Sequence, residues 1–208
     1  MRHVAVVVFD EVEVLDFTGP FEVFAVCGRR SGKTPFEPFL VAENARPVLA
    51  RNQMSVNPRF AFDDRDVPRP DILLVPGGFG TRREMHNAVM LDWVRRVSEG
   101  AELVLSVCTG ALILGKAGLL DGLEATTHYG AYDELRAAAP RSRVRTDLRY
   151  VDTGRVITSA GVSAGIDMSL HVVARLLGME VAQETARYME YEGSFVTAQR
   201  NQAPAGAA

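Results

Sequence analysis

Short unbroken runs of aliphatic residues recur along the chain, and most are followed by a stretch in which apolar positions return every three or four residues. Val4 to Phe9, Phe36 to Ala42, Asp71 to Val75, Leu103 to Val107 and Val156 to Ser159 are the runs. Only a strand buried on both faces is apolar at nearly every position, so the pattern predicts an α/β fold: a doubly wound, mostly parallel sheet with helices on both faces. The helical stretches are one opening at Pro20 and closed by Gly28, one around Leu91 to Val97 ended by Gly100, Ala111 to Ala117, a short one at Glu134 to Ala138, and a long one from Ile166 to Leu177 closed by Gly178. Between Val48 and Phe62, polar and apolar residues alternate around Asn52-Gln53, which predicts a small hairpin appended to the sheet. Gln199 to Ala208 is Ala, Gly, Pro and polar residues, a frayed tail, so residues 1–198 read as one domain. No internal repeat is visible.

Composition narrows the function. At 208 residues the chain suits a single core, given roughly 150 residues per domain. A formal net charge of −3 with scattered arginines excludes a general nucleic-acid binder. Only Arg141 to Arg149 is locally basic, and Val144, Asp147 and Leu148 within it mark a solvated strand edge. Val4 to Phe9 is too short to span a membrane and has no signal-cleavage pattern, so it reads as a first core strand. Two cysteines indicate no disulfide framework and fit a cytoplasmic location. Cys27 falls on the apolar face of Phe21 to Cys27 and reads as packing.

The chemistry centres on Cys108. The run Leu103 to Val107 ends in this cysteine, and a small-residue helical pattern restarts at once, so Cys108 occupies a strand-to-helix corner. Such a nucleophile elbow leaves little room on either side, which Ser106 and Gly110 satisfy. A thiol there stands at a helix N-terminus, whose free amides and dipole favour a thiolate. The competing reading, a buried apolar cysteine, explains the small flanking residues less well.

Functional groups in a doubly wound sheet gather beyond the carboxyl ends of the strands. After the first strand come Asp10, Glu11, Glu13 and Asp16 close to Gly19-Pro20, read either as caps or as reacting acids. After the third come Pro76-Gly77-Gly78-Phe79-Gly80, a turn or a backbone-amide donor. Ser159 to Asp167 is rich in small residues and lines a pocket or makes a close helix-sheet contact. His128, in Thr126-Thr127-His128-Tyr129, is a partner for the thiol or a packed histidine. His3, His86 and His171 are weaker candidates, and no histidine spacing suits zinc.

Five segments together resemble the DJ-1/PfpI superfamily over nearly the whole chain: Leu15-Asp16-Phe17-Thr18-Gly19-Pro20, Pro76-Gly77-Gly78, Ser106-Val107-Cys108-Thr109-Gly110, Ala125-Thr126-Thr127-His128 and Ala164-Gly165-Ile166-Asp167. The resemblance implies a flavodoxin-like sheet, a reactive cysteine and a homodimer. Within the superfamily the combination is most similar to isonitrile hydratase and to the amidotransferase-like domains of AraC-type regulators. Departures from other branches support this. Thr109 stands where protease-like members have histidine, none of the four histidines has a glutamate two residues on, and Asp16 stands where DJ-1 and glyoxalase-like members supply glutamate.

The branch implies a hydro-lyase that needs no cofactor or metal and acts on a small molecule. Cys108 would attack the isonitrile carbon and Asp16 would donate a proton, while Thr109 orients the acid, the thiolate or water. The amides of Gly78 and Thr109 would stabilise developing charge. Gly77, Phe79, His128, Tyr129 and Val162 are the surrounding or pocket candidates. The alternatives are a ligand-sensing module and a redox-sensing or stress-protective thiol protein. A DNA-binding regulator is disfavoured, because little chain and no basic charge follow the last core helix.

Overall fold

The structure, a computed structural model, describes residues 1–193. In chain order the elements are β1 (Arg2–Val7), α1 (Val14–Val26), β2 (Phe36–Ala42), β3 (Val48–Leu49), β4 (Ser55–Val56), β5 (Phe60–Ala61), β6 (Ile72–Val75), α2 (Thr81–Glu84) and α3 (Ala88–Gly100). Then follow β7 (Leu103–Val107), α4 (Gly110–Lys116), β8 (Glu124–Ala125), α5 (Tyr132–Ala138), β9 (Arg143–Val144), β10 (Tyr150–Asp152), β11 (Val156–Ser159), α6 (Ala164–Leu177) and α7 (Met179–Tyr188).

The main sheet runs β10-β11-β7-β6-β1-β2-β5, parallel throughout except for β10, which pairs antiparallel with β11. Its five longer parallel strands are arranged as in flavodoxin-like folds. Val4 pairs with Pro38 on one side and Ile72 on the other, which buries the strand between neighbours. Val4 to Val8 and Ile72 to Val75 are fully buried, as continuous apolar runs require. Helices α1, α6 and α7 pack together on one face, and α2, α3 and α5 gather around α4 on the other. From β1 the chain moves first to β2 and later to β6, so the strand order reverses beside β1. A crevice at such a switch point is where this architecture places its chemistry.

Three expectations need correction. The first helix opens at Val14, with Pro20 in its interior. Proline removes the N–H that would reach the carbonyl of Asp16, four residues back, and helical stability comes mainly from tertiary packing. Here that packing is close: a Cβ on Gly19 would lie 2.9 Å from Ile166 of α6. The earlier start places Asp16 in the first helical turn. The predicted hairpin exists as β3 and β4 but forms its own two-stranded sheet, while Phe60–Ala61 joins the main sheet beside β2. Leu49 N–H donates to Asp10 Oδ1 (2.9 Å), tying the hairpin to the loop after β1. Finally, β10, α2 and α7 arise where no element was predicted.

Arg143 and Arg145 pair with Glu124, and Arg145 also with Asp147, so the basic segment is locally neutralised. Cys27 is buried at the end of α1 beside Thr185, and burial pushes its thiol up. The predicted tail and the domain end at 198 lie outside the described residues. No helix among the described residues is long and apolar enough to cross a membrane.

Candidate active site

Strand β7 delivers Cys108 into the corner with φ of +56°, left-handed backbone for a residue with a side chain. Such a conformation costs on the order of 1–3 kcal/mol and persists only where neighbours hold it. They do so here. Cys108 N–H donates to the carbonyls of Ser159 and Ala160, both at 3.1 Å, and Thr127 Oγ1 donates to the Cys108 carbonyl at 2.8 Å. A Cβ on Gly110 would run into the Val75 carbonyl, so the corner closes only around glycine. A Cβ on Gly77 would lie 2.6 Å from Thr109 N, 2.7 Å from Asp16 Oδ2 and 2.8 Å from Cys108 Cβ. The loop after β6 is therefore in close contact with both the thiol residue and the acid.

Asp16 is fully buried, and its Oδ2 accepts Gly77 N–H at 3.0 Å. Its Oδ1 is buried without a hydrogen bond of ordinary geometry, although the Cys108 thiol and the Val162 amide lie close enough to bias its charge. Burial pushes the carboxyl up to about 7, helped by Glu13 and opposed by Cys108, Gly77 and Val162. The thiol is pushed up to about 12, first by burial and then by the charge of Asp16. Backbone amides of Thr109 and Val162 act in the opposite direction and are outweighed. Burial and the neighbouring carboxylate thus oppose the thiolate that a helix N-terminus favours.

The Thr109 hydroxyl is engaged by Gly78. Its Oγ1 accepts Gly78 N–H at 3.0 Å and donates to the Gly78 carbonyl at 3.1 Å, locking the glycine loop to the elbow. Orientation of Asp16 or the thiol by this hydroxyl is therefore corrected, and so is Gly78 as a free amide donor. The backbone amides of Thr109 and Val162 lie near enough to act on the thiol. Val162 has φ of +49°, a second left-handed non-glycine residue at the site.

The remaining candidates are less closely engaged. The Nδ1 of His128 accepts Gly130 N–H at 3.2 Å, and its ring lies 4.4 Å from that of Tyr129 and against Gly161. These contacts hold the histidine between its own loop and Gly161 of the β11–α6 loop; the side chain acting on the thiol is Asp16. Tyr129 is 78% exposed. Phe79 is 67% exposed and flanked by the guanidinium groups of Arg51 at 5.6 Å and Arg82 at 5.7 Å. Cys108, Asp16, Gly77, Gly78, Thr109 and Val162 thus come together, while Phe79 and Tyr129 face solvent. Sequence reasoning missed the Thr127 hydroxyl, the Ala160 carbonyl and the Val162 amide as parts of the site. Two of these act through backbone atoms, which leave no residue-type signal. Among the described residues no group of three or more His, Cys, Asp or Glu is arranged to hold a metal ion.

Similarity to known proteins places the chain in a family. The chain is 35% identical over 189 residues to isonitrile hydratase of Pseudomonas putida, covering 91% of this chain and 78% of that protein. It is 34% identical over 147 residues to the HTH-type transcriptional regulator CdhR of Pseudomonas aeruginosa, covering 71% of this chain but only 43% of the regulator. A crystal structure of a THiJ/PfpI family protein from Pseudomonas syringae superimposes with a TM-score of 0.81 at 31% identity, covering 98% of this chain and 81% of that one. Residues 2–175 match the DJ-1/PfpI family, and the chain belongs to it.

Proposed function

We propose that this protein hydrates isonitriles to N-substituted formamides through a covalent adduct on Cys108. The observation that carries the reading is a buried carboxyl, raised to about 7 and with one oxygen unpartnered, set against a thiol at a strained elbow. Such an acid holds a proton near neutral pH and can give it up. The 35% identity to an isonitrile hydratase supports the choice of substrate.

The terminal carbon of an isonitrile takes up a proton and a nucleophile at the same atom. Asp16 gives its proton to that carbon as the sulfur of Cys108 bonds to it, and the thiol proton passes to the Asp16 carboxylate. The product is a thioimidate, R–N=CH–S–Cys108. A neutral thiol suffices, because Asp16 both donates and accepts. Water then adds to the same carbon while Asp16 relays a proton to the imine nitrogen. Breaking the C–S bond releases R–NH–CHO, and the hydroxyl proton returns to sulfur through the acid. The amides of Thr109 and Val162 stabilise negative charge on sulfur as bonds form and break. Formamide production from a panel of aryl and alkyl isonitriles, with wild type and Cys108→Ala in parallel, tests the reading.

The match to a transcriptional regulator supports a second reading, a ligand-sensing module. Stoichiometric isonitrile binding without formamide release would favour it.

A further inference from the structure

The loop that joins β11 to α6 carries Val162, and what holds it lies outside the reacting groups. Ala160 N–H donates to the Arg149 carbonyl at 2.8 Å, so the residue before β10 anchors the start of this loop. The guanidinium of the same Arg149 reaches the end of the loop: Nη2 donates to Ser163 Oγ at 3.4 Å, and Nε donates to Asp167 Oδ2 at 2.7 Å. Asp167 is fully buried in the first turn of α6, and Tyr191 Oη donates to its Oδ1 at 3.1 Å. One arginine thus grips both ends of residues 160–163.

Between those ends sits Val162 with its φ of +49°, a conformation especially unfavourable for a β-branched side chain. The observed strain needs a restraint, and strain held beside a reacting group points to function. Asp167 is buried but the Arg149 side chain is 46% exposed, and an ion pair open to solvent on one side adds little net stability. We propose that the Arg149–Asp167 pair is a positioning device that fixes the loop so that the Val162 amide stays against the Cys108 sulfur and the Asp16 carboxyl. The inference rests on Cys108 being the reacting group and extends that reading to two residues that touch neither substrate nor sulfur.

The test needs no isonitrile. In wild type, the rate of Cys108 alkylation by iodoacetamide, read peptide by peptide to separate Cys27, follows pH with an inflection as Asp16 ionises. Burial, with Glu13, raises that carboxyl, while the Cys108 thiol and the Gly77 and Val162 amides hold it down. Displacing the Val162 amide removes one restraint, so the inflection moves upward. Easier access would scale the rate equally at every pH and leave the inflection in place.

Two variants apply the test. Arg149→Lys keeps the charge but lacks the forked reach to Ser163 and Asp167, and Arg149→Gln with Asp167→Asn removes both charges together. Both are expected to shift the inflection upward and to lower kcat by roughly 10- to 100-fold with KM largely kept. A lower Tm with the inflection unmoved would make the pair merely structural and overturn the proposal; Arg149→Lys decides alone if the neutral pair does not fold. A shifted inflection in a protein that hydrates no isonitrile would retain the positioning role and reject the hydratase reading.

Discussion

At the residue scale the chemistry turns on one carboxyl. Asp16 rises from 3.8 to about 7 on folding, so the folded chain keeps a proton that the unfolded chain releases. Stability therefore falls as pH rises from about 4 to about 7 and levels off above that. Asp16→Asn keeps an acceptor for Gly77 N–H and removes the titration, so the Tm difference between pH 5 and pH 8 narrows relative to wild type; calorimetry at the two pH values checks this. In the same variant turnover falls ~10²–10⁴-fold with the fold intact, and unchanged turnover would remove Asp16 from the mechanism. Because the acid must be protonated to act, wild-type kcat/KM declines above about pH 7. A rate that climbs toward pH 9 would instead indicate a pre-formed thiolate. The residues near Gly19-Pro20 alone left several acids open as caps or reacting groups, and only the family resemblance singled out Asp16. Its raised affinity for protons was not legible in the sequence, because that comes from burial against Gly77 and Cys108, which the chain brings in from two other loops.

At the element scale, the strand-to-helix corner depends on close approach between β6 and α4. Gly110→Ala would drive a methyl into the Val75 carbonyl, and overpacking of this kind costs about 1–3 kcal/mol. The expected result is a Tm lower by several degrees and a thiol displaced from its acid, measured by thermal unfolding and alkylation rate. An unchanged Tm would mean that the corner is looser than its geometry indicates. The five long parallel strands were legible because burial on both faces leaves an uninterrupted apolar run such as Ile72-Leu73-Leu74-Val75. Two-residue strands such as Glu124–Ala125 carry no such signature. The start of α1 was misplaced because Pro20 is a strong local signal for a helix opening, and only contact with α6 shows that the helix runs through it.

At the scale of the whole molecule, charge is balanced across the surface and not gathered. The 23 basic and 26 acidic residues leave a net of −3, and the locally basic segment neutralises itself on Glu124 and Asp147. Retention on heparin at physiological salt is therefore not expected; retention would reveal a polyanion surface this description lacks. The fold converges instead on one point, where loops after β1, β6, β7 and β11 meet around the Cys108 thiol. The most direct test of that convergence is formamide release from aryl and alkyl isonitriles by wild type and Cys108→Ala. Turnover by wild type that is lost in Cys108→Ala is the result predicted; equal turnover by both, or none by either across the panel, would contradict Cys108-dependent hydration.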